Sequence, residues 1–144
     1  MAHDALPALL RLRQIGRDEA QQALARAVQD EEAAASAAHA ADRAIADEQA
    51  AAIDAAAGDR AVEAFAAWLP RGRATAKAAW DATEQAQARV AQARAVLSAA
   101  QVATEAVEIL IAERAAANKR IAARRDQASM DEAAQRRRRR TDIE

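Results

Sequence analysis

Large apolar side chains are sparse along this chain, and where they recur they do so at alternating steps of four and three residues. From Phe65 these steps visit Leu69, Gly72, Ala76, Ala79, Thr83, Ala86, Val90, Ala93, Leu97, Ala100, Thr104, Val107 and Ile111, then reach Arg114, Asn118 and Ile121. Positions so spaced share one face of a helix that supercoils with a partner. The seam is apolar or small through Ile111 and is interrupted by polar residues afterwards. In the N-terminal part, a seven-residue step visits Leu10, Arg17, Leu24, Glu31, Ala38, Ile45 and Ala52, with Val28, Ala35 and Ala41 beside it. This stripe is thinner and mostly alanine. Two long helices facing each other across a heptad seam are the prediction.

Glycine and proline divide the pattern. Pro7 suits a first helical turn, where the N–H it lacks has no intrahelical partner, so a helix starting near Asp4 is expected. Gly16 costs about 1 kcal/mol relative to Ala, which the surrounding helix formers absorb. Gly58-Asp59 is the natural corner, because Gly permits a left-handed residue and Asp can accept a hydrogen bond from a free N–H of the next helix. Pro70-Arg71-Gly72 predicts a second break or kink. The expectation is a single all-α unit over 1–144, a long antiparallel two-helix coiled coil or helical hairpin. Its first arm covers about 4–57, its turn about 58–59, and its second arm about 60–140 with a break near 70–72. A first arm of that length pairs as far as about residue 112, so the second, longer helix should carry a C-terminal overhang. At about 1.5 Å rise per residue, the paired shaft of this rod would be about 80 Å long and the extension about 40 Å more.

Composition agrees. Of 144 residues, 49 are alanine, and only 26 are larger apolar side chains. A thick globular core cannot be built from these, and the scarcity of β-branched and aromatic residues excludes a β-rich fold. No stretch approaches the roughly 20 uninterrupted apolar residues of a membrane span, and the N-terminus lacks a basic segment preceding an apolar one. A cytoplasmic chain is expected. With no cysteine, there are no disulfides or thiolate metal sites, which fits a reducing compartment.

The formal charge of −1 hides an asymmetry. Residues 1–112 carry 11 Lys/Arg against 16 Asp/Glu, and residues 113–144 carry 10 against 6. The sign changes at Glu113 and Arg114, where the seam also turns polar, so two independent features mark the start of the overhang.

Little here suggests catalysis. His3 and His39 are too far apart in sequence to read as a ligand pair, and Ser36, Ser98 and Ser129 have neither a nucleophile elbow nor an accompanying base. No Gly-rich phosphate loop exists. A two-helix coiled coil offers no concave pocket in which carboxylates could be tuned for acid–base work. No catalytic, metal or cofactor site is assigned. Residues 136–140 are five consecutive arginines. They read as a solvated helix end complementing the helix dipole, as a dock for an acidic protein surface, or, more weakly without interleaved aromatics, as a nucleic-acid footprint. The three aromatics, Phe65, Trp68 and Trp80, all lie near the turn. Phe65 and Leu69 fit the seam and so read as core residues pinning the corner. Trp68 and Trp80 fall off it and read either as a partner site near the turn or as local packing beside Pro70.

The chain opens with Leu6-Pro7-Ala8-Leu9-Leu10-Arg11-Leu12-Arg13 followed by Asp18-Glu19-Ala20, carries Phe65-x-x-Trp68 after Gly58, and closes with Met130-Asp131-Glu132-Ala133-Ala134-Gln135-Arg136-Arg137. These are similar to the N-terminal pattern, the aromatic-bearing stretch past the turn and the C-terminal pattern of one family, and the chain so resembles the flagellar export protein FliJ family and its injectisome counterparts of the YscO type. The resemblance implies a non-enzymatic stalk, similar to the central stalk of rotary ATP synthases, that links a hexameric export ATPase to the cytoplasmic domain of the export gate and receives export chaperones. It implies Leu9, Leu10, Arg13, Met130, Asp131, Glu132 and Arg136 for the ATPase end, and Phe65, Trp68 and Leu69 for the gate end. It also implies no cofactor, no nucleic-acid partner, and peripheral association with the cytoplasmic face of the inner membrane through these partners only. Pro70, Gly72 and the alanine content depart from the family pattern. A structural homo-oligomeric coiled-coil scaffold and a polyanion binder acting through the Arg-rich C-terminus stand as alternatives.

Overall fold

A computed structural model describes residues 5–141, so His3 and the helix start expected near Asp4 lie outside it. Two helices form an antiparallel hairpin: α1, Ala5–Ile53 (49 residues), and α2, Asp59–Thr141 (83 residues). Among the described residues there is no strand. The fold follows from helix formers filling both segments and from a seam too poor in bulk to support anything but close pairing of two helices.

The turn begins earlier than the glycine suggests. α1 ends at Ile53, and Asp54 closes a tight turn: its carbonyl accepts from the Ala57 N–H at 2.9 Å, and its carboxylate accepts from the Ala56 N–H at 3.1 Å. A side chain that offers the backbone an alternative partner stops the helix here. Gly58 then takes φ 72°, and its carbonyl accepts from the Ala61 N–H to open α2.

The break expected at 70–72 is absent, because α2 runs through Pro70. Proline removes one N–H donor from the ladder; about three intact turns before it and about twenty after it hold the helix together. Pro70 is exposed, so the carbonyl it leaves without a helical donor lies on the solvated side.

Burial follows the heptad seam. Every seam position of α2 from Phe65 to Ile111 is buried or half-buried, as is every position of the seven-residue step through α1 from Leu10 to Ala52. Contacts divide the chain into two units. In the unit Gly16–Ala100, Ala20, Ala38, Ala52, Ala76, Ala86, Val90 and Thr83 are buried. The unit formed by residues up to Ile15 and from Gln101 is centred on Thr104 and Val107. Thr104 is the largest fully buried side chain, and its hydroxyl donates to the Arg13 carbonyl of α1 at 3.3 Å. Beyond Ile111 every side chain through Arg140 is exposed. The second helix therefore outlasts its pairing at the point where the charge changes sign.

The Leu, Val and Ile residues between Val90 and Ile111 divide between two faces: Val90 and Val107 are buried and Leu97 and Ile111 half-buried, whereas Val96, Val102, Ile109 and Leu110 are exposed. They bring an 18-residue window of α2 to a mean hydropathy of 1.6, long and apolar enough by composition to cross a membrane, though only 11% of that window is buried.

Candidate functional site

In the unit that contains the turn, Phe65 and Trp68 sit one helical turn apart on α2, with ring centroids 6.2 Å apart. Phe65, Trp68 and Leu69 are all half-buried. The Trp68 indole lies over Gly72, and a Cβ there would stand 2.5 Å from its ring edge. Gly72 is thus a seam residue and the floor on which Trp68 rests. Trp68 also walls two shallow grooves of about 280 Å³ each, one with Ala41, Ala44, Arg71 and Thr75, the other with Glu48, Ala52, Ala61 and Phe65. Local packing therefore accounts for part of this indole, and its remaining edge faces the grooves.

Trp80 behaves differently. It is 40% exposed, its indole N–H donates to the Asp42 carboxylate at 3.0 Å, and the His39 ring meets it edge-on at 5.2 Å. This clasp from α1 to α2 is not evident in the sequence, where His39 is weighed only as half of a ligand pair; His39 is exposed. The available signal was that His39 and Asp42 are three residues apart on one helix face.

In the other unit, Leu9 and Leu10 are half-buried and Arg13 is exposed. Met130, Asp131, Glu132 and Arg136 are all exposed, and three of them are held along the helix: Gln127 donates to Asp131 at 3.1 Å, and Arg136 donates to Glu132 at 2.5 Å. The two groups of residues are not brought together. Arg13 is level with Thr104, so Met130 lies 26 residues further along α2, roughly 39 Å at 1.5 Å per residue. The C-terminal group forms a surface of its own on a single helix, which includes a shallow groove of about 250 Å³ lined by Asp131, Ala134, Gln135 and Arg138.

Among the described residues no group of three or more His, Asp or Glu side chains could hold a metal ion. The Lys77 amine is raised above its ordinary pKa by its hydrogen bond to Asp81 at 2.7 Å and by that carboxylate's charge.

A family model described as flagellar FliJ protein matches residues 2–142. Neither a curated protein nor a solved structure matches the chain significantly. The match spans both helices, the turn and the exposed C-terminal segment, and it coincides with the hairpin expected of that family. The chain belongs to the FliJ family and is a flagellar export protein, a component of the flagellar protein-export apparatus.

Proposed function

We propose that this protein is a non-enzymatic stalk of the flagellar export apparatus, linking the hexameric export ATPase to the cytoplasmic domain of the export gate and receiving emptied export chaperones. It acts at the cytoplasmic face of the inner membrane and is held there through its partners. The observation that carries this reading is the exposed, basic extension of α2, within a family match that reaches residue 142. A solvated single helix ending in five arginines presents charge and backbone length without a core of its own, the form expected of a segment completed by entering another protein. Met130, Asp131, Glu132 and Arg136, with Leu9, Leu10 and Arg13, are assigned to the ATPase; Phe65, Trp68 and Leu69, beside their grooves, are assigned to the gate.

The test is a binding assay of the full chain, a truncation at Glu113 and a Trp68→Ala variant against the purified export ATPase and gate domain of the same organism. The truncation should lose the ATPase and keep the gate, and Trp68→Ala should do the reverse. Undiminished ATPase binding by the truncated chain would refute the assignment of the extension.

A further inference from the structure

On α2, the side directly opposite the hairpin seam carries an apolar stripe from Val102 to Leu110. Val102, Ala106 and Ile109 follow one another at i, i+4 and i+7, with Leu110 beside them; Val102 is 63% exposed, Ile109 57% and Leu110 50%. The same line continues through Glu113, Ala116, Arg120 and Ala123, alternating charge with alanine. Val107, one position from the stripe's centre, is turned inward and buried. A helix with apolar residues at heptad spacing on two opposite sides has a seam for two partners, and α1 covers only one of them.

The charges indicate what covers the other. Between residues 101 and 113 the only charges are Glu105, Glu108 and Glu113; between 114 and 125 they are Arg114, Lys119, Arg120, Arg124 and Arg125, with no acid among them. An acidic, apolar segment is thus followed immediately by a basic one of similar length on the same helix. Two copies running antiparallel, with their two-fold axis near the Glu113–Arg114 boundary, lay each acidic segment on the partner's basic segment. The large side chains Val102 and Ile109 then meet alanines, and the lysine and arginine stems flank them. A parallel, in-register pair would stack like charge on like charge.

We infer that α2 self-associates through this outer face, residues 102–113 of one copy packing antiparallel on residues 114–125 of a second. The inference does not rest on the stalk reading and uses none of the residues named for the ATPase or the gate, although residues 114–125 lie in the extension that reading gives to the ATPase.

Sedimentation equilibrium of the full chain tests it. The wild-type protein should pass from 15.3 kDa to twice that mass as concentration rises through the micromolar range. Val102→Glu/Ile109→Glu should stay at the mass of one chain up to about 100 µM, where a micromolar dimer would be saturated. Both positions are exposed, so circular dichroism should show the helix content intact. Glu105→Lys/Glu108→Lys and, separately, Lys119→Glu/Arg120→Glu/Arg124→Glu should each be monomeric alone, because each places like charges together, and should pair when mixed. A wild-type chain that stays at 15.3 kDa throughout, whether the face then proves to hold a lipid surface or another protein, overturns the inference. So does a dimer indifferent to the Val102/Ile109 change, or a failure of the two charge variants to pair.

Discussion

The three glycines occupy three different environments, and alanine at each should have a different consequence. Gly16 lies within α1 with nothing within 4 Å of a would-be Cβ, so Gly16→Ala should stabilise the protein by about 0.5–1 kcal/mol through helix propensity and a less flexible unfolded chain. Gly58 holds φ 72° in open space, and alanine there should cost about 1–2 kcal/mol from the left-handed backbone alone. Gly72 meets the Trp68 ring at 2.5 Å. The propensity gain of about 1 kcal/mol is there set against overpacking, typically about 1–3 kcal/mol, so Gly72→Ala should be destabilising and should shift Trp68 emission to longer wavelength as the indole is displaced. Urea melts of the three variants, read with tryptophan fluorescence, check all three signs. The sequence suggested Gly58 as the corner because only a glycine fits a left-handed position cheaply. It placed Gly16 within a helix and Gly72 on the seam, but not the Trp68 indole resting on Gly72, because that depends on the rotamer the packed side chain adopts.

At the scale of the helices, the seam was legible almost residue by residue, since a four–three spacing fixes which side chains share a face whatever the partner is. Val107 and Val102 have the same chemistry on opposite faces, 5% and 63% exposed. Val107→Asp should place a charge in the pairing of α1 with α2 and cost several kcal/mol, whereas Val102→Asp should leave the melting of the monomer within about 0.5 kcal/mol. Thermal melts at dilute concentration separate them. The exposed part of α2 has no tertiary burial to add to its propensity, so hydrogen exchange of amides 115–140 in dilute protein should be faster than that of amides 83–107. Protection of the extension equal to that of the paired region would contradict this. The continuity of α2 through Pro70 and the stop at Asp54 were not legible, because each is a contest between one lost or gained hydrogen bond and the turns around it.

For the whole molecule, electrostatics gives a simple expectation for pH. Lys77 is raised above 10.5 by its hydrogen bond to Asp81 and by that carboxylate's charge. A group whose folded pKa is raised contributes fully below its unfolded value and loses that contribution as pH rises through the folded one. Stability should therefore owe nothing to Lys77 titration through the neutral range, and Asp81→Asn should remove any Lys77-linked fall in melting temperature above about pH 10.5. The alanine seam implies modest stability, since each buried methyl contributes on the order of 0.8 kcal/mol against about 1–2 kcal/mol per residue of backbone ordering. Saturation with a partner that binds only the folded chain should raise the melting temperature noticeably, a hundredfold excess over its dissociation constant being worth about 2.7 kcal/mol. What the sequence determined by itself is the all-helical hairpin, its seam, its corner and the onset of its basic extension, because helix propensity, heptad spacing and charge order are properties of neighbours along the chain. What only the tertiary structure decided is which of two apolar stripes on α2 is covered by α1, how Trp68 settles on Gly72, and that Trp80 reaches Asp42. Each depends on the rotation of one helix against the other, and an alanine-rich helix with small residues on several faces leaves that rotation open until its partner is in place.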